Sequence, residues 1–191
     1  MKNKLEIFKE ERLFHVYNRA NGNEKLFLSD ENYRYFLRKF DEYISPFVDT
    51  FCYCLMPNHF HFLLKIKRQE QIENVIKYKN LNKNLDGLIS QQFSNFFNSY
   101  AKAFNKQQNR KGSLFMHTFK RKQINDEKYL RKLIHYIHYN PKKAGLVNKL
   151  EDWDYSSYRV LISELETKLK RKDALELFES RSNFIYCHKH A

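Results

Sequence analysis

The chain has 191 residues, of which 42% are hydrophobic and 17 are phenylalanines, and its net charge is +13. This apolar content is enough for a hydrophobic core and excludes a disordered chain, and the length favours one domain with a terminal appendage. No stretch has the pattern of a signal peptide or a membrane span, and three cysteines, an odd number, are typical of a reducing compartment. We therefore expect a cytoplasmic protein without a membrane partner.

The positive charge is concentrated in the middle of the chain. Residues 1–50 and 148–191 each contain as many acidic as basic side chains, whereas residues 101–147 hold twelve basic and two acidic ones. A solvated basic face is one explanation. A surplus confined to one block favours a track for a polyanion, with nucleic acid as the leading candidate.

The first half of the chain predicts a strand, a helix and a hairpin. Phe14–Asn18 alternates as a strand does, and a helix capped at Ser29 or Asp30 follows and is stopped by Pro46. Two further strands are predicted at the end of this half, Phe47–Leu55 and His59–Lys67, and the tight turn between them indicates a hairpin.

The second half predicts two helices separated by a strand. Residues 71–87 are polar, and we interpret them as a loop or a weak helix. Apolar, mostly aromatic residues from Ile89 to Phe104 recur at helical spacing, and Ser113–Ile124 is predicted to be a strand or an extended basic segment. A third helix begins at Glu127 and is expected to end at Asn140-Pro141, because a residue before proline disfavours helical geometry.

This order of elements predicts an α+β fold with a ferredoxin-like β-α-β-β-α-β antiparallel sheet, helices on one face and an added C-terminal helix. We divide the chain into a catalytic domain, residues 1–150, and a C-terminal appendage, residues 151–191. Leu161, Leu165 and Leu169 indicate a helix in the appendage, and we interpret the Cys187-His188-Lys-His190 tail as a frayed terminus.

Two groups of residues could form a reactive site. His59 and His61 point to the same face of their strand and together could hold a divalent metal, although such a pair alone is more often hydrogen-bonded or partly buried. On the third helix, Tyr136 and Asn140 fall on one flank of the apolar stripe, one turn apart, and Tyr139 falls on the opposite, solvent side.

The run Leu-Met-Pro-Asn-His59-Phe-His61 and the run Tyr136-Ile-His-Tyr-Asn140-Pro-Lys-Lys-Ala-Gly-Leu-Val147 resemble the single-tyrosine HUH transposases. They look closest to the REP-associated tyrosine transposases. Shorter matches are Phe14-His-Val-Tyr-Asn-Arg19, Gly112-Ser-Leu-Phe115 and Trp153-Asp-Tyr-Ser-Ser-Tyr158.

The resemblance implies a metal-dependent DNA transposase, an endonuclease and strand transferase that acts on single-stranded or hairpin DNA through a 5′-phosphotyrosine intermediate. It implies His59, His61 and Asn140 as ligands of Mg²⁺ or Mn²⁺, although this donor set would suit Co²⁺ or Zn²⁺ at least as well. It implies Tyr136 as the nucleophile. It also implies a bacterial protein, nucleoid-associated when bound to DNA, that acts as a monomer or a homodimer.

Two other functions fit the same sequence: a catalytically idle nucleic-acid-binding or domesticated regulatory protein, and a metal-dependent nuclease that forms no covalent link through tyrosine. In each case the basic block would contact phosphates. The candidate residues are Lys102, Lys106, Arg110, Lys111, Lys120, Arg121, Lys122, Arg131, Lys142 and Lys143.

Overall fold

A computed structural model describes residues 6–78 and 84–190. Its centre is a four-stranded antiparallel sheet with the strand order β2-β3-β1-β4. The strands are β1 (Leu13–Arg19), β2 (Val48–Met56), β3 (His59–Ile66) and β4 (Lys120–Ile124). This is the predicted ferredoxin-like order, in which β1 and β3 occupy the middle of the sheet.

One face of the sheet carries most of the aromatic core. The helices α1 (Asp30–Tyr43) and α3 (Leu85–Gln107) pack there, and α2 (Gln69–Tyr78) lies between β3 and α3 along the chain. Phe60 and Phe62 of β3 point to this face and contact the rings of Phe36 and Phe40 in α1. The alternation of β3 therefore sends its histidines to the other face.

The opposite face is covered by α4 (Glu127–Lys143) and the C-terminal helices. These are α5 (Tyr158–Ile162), α6 (Arg171–Glu176) and α7 (Arg181–His190). The apolar side of α4 packs with Cys52, Cys54 and Leu63 of the sheet, and Phe178 and Phe184 complete this second core. The helix bearing the tyrosine thus lies across the sheet from the two helices of the first core.

Residues 153–157 run along the outer edge of β2. The Leu55 amide donates to the Tyr155 carbonyl at 2.9 Å, the Ser157 amide donates to the Tyr53 carbonyl at 3.0 Å, and the Trp153 indole donates to the Leu55 carbonyl at 3.0 Å. This segment satisfies backbone groups that an edge strand otherwise leaves open. The division at residue 150 stays a prediction, but the packing ties both parts to one sheet.

The predicted end of α4 was wrong. The helix continues through Pro141 to Lys143 and ends in a Schellman motif, in which the Leu146 amide donates to the Pro141 carbonyl at 2.9 Å and Gly145 has φ of 68°. Asn140 is consequently not at a loose terminus. Its Nδ2 donates to the Tyr136 carbonyl at 2.7 Å and approaches the Ile137 carbonyl, which Pro141 cannot serve because it has no N–H.

One alternative predicted for residues 71–87, a weak helix, is present in part, and the beginnings of α3 and β4 differ from the predictions. Residues 69–78 form a helix, and Asn84 caps α3 by accepting from the Gly87 amide; residues 79–83 of the predicted loop lie outside the described residues. The strand predicted from Ser113 begins only at Lys120, with a single bridge between Ala20 and Phe115 before it.

In the C-terminal part, the predicted leucine helix stops at Ile162 and leaves Leu165 76% exposed. The tail is not frayed, since α7 reaches His190 and buries His188. None of the helices in the described residues has the length and apolar composition needed to cross a bilayer.

Candidate active site

The two histidines of β3 lie beneath α4. His59 is half-buried and His61 is buried, and their ring centroids are 5.1 Å apart. His61 pairs across the sheet with Tyr17 of β1 and with Cys54 of β2, so its ring is held in the middle of the sheet. Both rings line one cavity of about 400 Å³, together with Tyr136 of α4.

His61 is positioned by His15, a buried residue on β1. Nε2 of His15 lies 2.9 Å from Nδ1 of His61, and the two rings stack at 5.0 Å. Nε2 of His61 is buried and has no hydrogen-bond partner among the described residues. When Nδ1–H of His61 donates to His15, this unpartnered Nε2 carries a free lone pair.

His59 is oriented by two asparagines. Its Nδ1–H donates to Oδ1 of Asn58 at 2.7 Å, and its ring is close enough to the side chain of Asn140 for that amide to affect its pKa. Because Nδ1 of the neutral ring carries the proton, Nε2 carries a free lone pair. The amide nitrogen of Asn140 is engaged by the Tyr136 carbonyl, so the amide oxygen is left to face the histidine.

Tyr136 and Tyr139 lie on different sides of α4. The Tyr136 ring is 40% exposed and stands edge-on to the His61 ring, with 5.5 Å between the centroids. Tyr139 instead stacks on His135 at 5.2 Å and packs against the second core. Only Tyr136 of the two lines the cavity with the histidines, and it does so within the same chain.

Burial keeps the three imidazoles neutral. Desolvation, with a smaller effect of Lys122, lowers the pKa of His15 to about 4. Desolvation, reinforced by the neighbouring His15 and His59, lowers the pKa of His61 to about 2. The pKa of His59 is also lowered, mainly by burial and then by Arg19, while the side chain of Asn140 opposes the shift. Neutral imidazoles are the form that binds metals.

The arrangement fits a divalent metal held by few protein donors. The fitting observation is the buried, unpartnered Nε2 of His61; the neighbouring His59 ring in turn lies near the amide of Asn140. No cluster of three or more His, Cys, Asp or Glu side chains able to hold a metal occurs in residues 6–78 and 84–190. A metal at this cavity would therefore depend on two imidazoles and an amide, which leaves coordination positions for phosphate or water.

The predicted phosphate contacts fall into two groups. Three arginines are paired: Arg110 with Glu24, Arg131 with Glu127, and Arg121 with Asp86. The lysines are exposed, and Lys120 lines the cavity of the histidines. The exposed lysines of the candidate set are Lys102, Lys106, Lys111, Lys120, Lys122, Lys142 and Lys143.

The side chain of Arg121 is buried and paired. Its side chain is 6% exposed, lies 3.1 Å from the Asp86 carboxylate and covers the Phe8 ring at 4.2 Å. A phosphate could reach its guanidinium only by breaking that pair, so we assign Arg121 to the core and keep the exposed lysines as the candidate contacts.

Sequence reasoning missed His15, Tyr17 and Asn58. The signal for the first two was present, because His15 and Tyr17 alternate on one face of a predicted strand. Their contact with His61 depends on β1 lying next to β3, which follows from the sheet order and not from local pattern. Asn58 was interpreted only as part of a turn.

A second buried histidine network holds α4 in place from its other side. His188 Nδ1–H donates to the Phe184 carbonyl at 2.8 Å, so its Nε2 accepts from Nδ1–H of His138 at 3.0 Å. Nε2 of His138 then accepts from the Ser157 hydroxyl at 2.9 Å, and the Ser157 oxygen accepts from the Tyr53 amide at 2.8 Å. This chain of neutral groups connects α7, α4 and β2.

The fold is that of a solved tyrosine transposase. The chain aligns with a structure described as the REP-associated tyrosine transposase bound to a REP hairpin, with a TM-score of 0.59, 16% sequence identity, and coverage of 88% of this chain and 90% of that chain. The predicted α+β class is thereby confirmed.

A sequence relative carries the same family name. The chain is 30% identical over 116 residues to the "Putative REP-associated tyrosine transposase" of Haemophilus influenzae, and the match covers 59% of this chain and 60% of that protein. No protein-family model matches the chain. The resemblance to REP-associated tyrosine transposases that the sequence motifs predicted is confirmed.

Proposed function

We propose that the protein cleaves and rejoins single DNA strands, using Tyr136 as the nucleophile and a divalent metal held by His59, His61 and Asn140. The observation that carries the proposal is the cavity in which the exposed Tyr136 ring stands 5.5 Å from the ring of His61, whose Nε2 is buried and unpartnered. The substrate we propose is hairpin-bearing DNA, by analogy with the REP hairpin in the solved structure.

The residues divide the chemistry between them. A bound Mg²⁺ or Mn²⁺ would supply Lewis-acid polarisation of the scissile phosphate. The phenolic oxygen of Tyr136 forms a bond to phosphorus, and the bond to the 3′ oxygen breaks; the phenol loses its proton to solvent and the departing oxygen gains one. The products are a 5′-phosphotyrosine and a free 3′-OH, so attack by another 3′-OH reverses the step and joins strands.

The lysine at the cavity and the neighbouring arginine favour a phosphate. Lys120 and Arg19 line the cavity with the histidines, and none of the residues that line it carries a carboxylate. A polyanion can therefore approach Tyr136 without like-charge repulsion.

The decisive experiment is detection of a covalent protein–DNA adduct. Labelled hairpin DNA and Mn²⁺ are incubated with the protein, and the products are separated under denaturing conditions. We expect an adduct with the wild type and with Tyr139→Phe, and none with Tyr136→Phe. An adduct that persists in Tyr136→Phe but disappears in Tyr139→Phe would refute the assignment. Absence of any adduct, with hairpin binding retained, would favour the binding-only alternative.

We further propose that each active site is built from one chain. Tyr136 faces the histidines of its own β3, so a mixture of Tyr136→Phe and His59→Ala proteins is expected to form no adduct. Recovery of adduct in the mixture would indicate that the tyrosine serves a partner's histidines.

A further inference from the structure

A second cavity adjoins the one that contains Tyr136. It has a volume of about 510 Å³ and lies between α3 and residues 112–119. The two cavities share Asn18, Met116 and Thr118 in their walls. We call this second cavity the α3 groove. Because the walls are shared, a chain bound at the histidines could continue directly into the groove.

The walls of the α3 groove suit a nucleic acid strand. Its base is aromatic and aliphatic, with Phe97 and Phe119 among the lining residues, and its rim carries Lys102 and asparagines. No carboxylate lines it. The cavity at the β2 edge, by contrast, is lined by Asp41 and Asp49 as well as by Lys67 and Lys168, so it offers no surplus of positive charge.

Met116 stands at the junction of the two cavities. Its backbone is fixed, since its amide donates to the Arg19 carbonyl at 2.9 Å and its carbonyl accepts from Asn18 Nδ2 at 3.3 Å. Its side chain is nevertheless 46% exposed. An exposed thioether on a fixed backbone is an apolar surface against which a base could rest.

Asn98 and Lys102 are available to a ligand. They lie one turn apart on α3, both are exposed, and both line the α3 groove. Neither has a hydrogen-bond or ion-pair partner in the part of the chain that the structure describes. Asn105, one turn further on, is different: its side chain donates to the Gly112 carbonyl at 2.9 Å and so holds the loop.

We propose that the α3 groove binds the unpaired nucleotides on one side of the scissile phosphate, with Lys102 contacting a phosphate, Asn98 a base edge and Met116 a base face. An amide can both donate to and accept from a base edge, which makes Asn98 a specificity-determining residue. The inference rests on the proposed function, since it takes the histidine cavity as the place where the strand is cut.

The test compares the binding of three DNAs to protein that carries Tyr136→Phe, so that no covalent link forms. The DNAs are a bare hairpin and the same hairpin with ten random unpaired nucleotides at its 5′ or its 3′ end. Fluorescence anisotropy at constant salt gives the affinity gained from each extension. We expect one extension to raise affinity about tenfold or more, as one or two stacked bases would.

Substitutions show which residues provide the affinity gained from the extension. Asn98→Ala with Lys102→Ala, and separately Met116→Ala, should remove most of the gain and leave binding of the bare hairpin unchanged. The matched control is Lys149→Ala, which removes an exposed lysine that lines neither cavity and is not among the candidate phosphate contacts. Sequencing of the bound random pool should show a base preference that Asn98→Ala relaxes.

The outcomes separate this inference from the proposed function. If wild-type protein forms the adduct but the extensions add no affinity, or the variants keep the gain, the α3 groove assignment is overturned while the cleavage chemistry stands. Equal losses on bare and extended hairpins would also overturn it, because they would place Asn98 and Lys102 on the stem. If no adduct forms in any condition, the proposed function is refuted, whatever affinity the extensions add.

Discussion

Ser157→Ala is expected to destabilise the whole chain, because one hydroxyl connects three elements. Ser157 is fully buried; its oxygen accepts from the Tyr53 amide and lies 2.9 Å from Nε2 of His138. The substitution leaves both of these groups buried without a partner. At about 1–3 kcal/mol for each unsatisfied group, we expect a loss of about 2–6 kcal/mol in the free energy of unfolding.

The assay is urea and thermal unfolding of metal-free protein. For a chain of this size the loss corresponds to a fall in Tm of about 4–24 °C. Ser163→Ala is the control, because the Ser163 hydroxyl donates to the Val160 carbonyl at a half-exposed helix end, where water can replace it. The reasoning would be refuted by a loss below about 0.5 kcal/mol, which is within the usual range for surface changes. Two separate transitions would instead indicate an independent C-terminal unit.

Three further predictions concern single side chains. Burial lowers the pKa of His188 to about 4, so on acidification the unfolded chain takes up a proton before the folded chain does. The free energy of unfolding therefore falls as the pH drops from about 6.5 towards 4. In His188→Gln, the slope of this free energy against pH, measured by urea unfolding, should be smaller by about 1.4 kcal/mol per pH unit. Arg121→Ala should lower stability by about 1–3 kcal/mol, whereas Lys120→Ala should leave stability unchanged and make DNA binding less salt-dependent. His15→Phe should weaken Mn²⁺ binding, measured by calorimetry, about 10–100-fold, and His117→Ala should not; equal affinities would contradict the role of His15.

The elements on the aromatic face could be predicted because each has a local pattern. The rings of α1 and α3 recur at helical spacing, and the alternation of Phe60 and Phe62 identifies β3 as a strand with a buried side. Such patterns depend on neighbours in sequence. They therefore give the right elements and, through the order of strands and helices, the right sheet.

The errors occurred where a specific contact overrides a general sequence rule. The rule that proline ends a helix failed at Pro141 because Asn140 partly serves the freed carbonyl and Gly145 supplies the actual stop. The strand predicted from Ser113 is shorter because its first residues follow the ends of β1 and of α3 instead of a strand partner. Asn21, for example, donates its amide to the Leu114 carbonyl at 3.0 Å.

The candidate site could be predicted only in part, because motifs identify residues but not the contacts between distant elements. His59, His61, Tyr136 and Asn140 could be named from motifs, and the structure brings these four together. The support that His15 gives could not be predicted, because it requires the pairing of β1 with β3. The α3 groove also could not, since it forms only when residues 112–119 lie against α3.

The segment that runs along β2 has a consequence for how the protein can be produced. A fragment that ends at residue 150 would keep every residue proposed for cleavage but would uncover the outer edge of β2, including the Leu55 amide and the Tyr53 carbonyl. An exposed edge strand recruits the strands of other molecules. Such a fragment would therefore precipitate or form mixed oligomers, and a catalytic core trimmed to its motifs would be a poor starting point for crystals or for enzyme engineering.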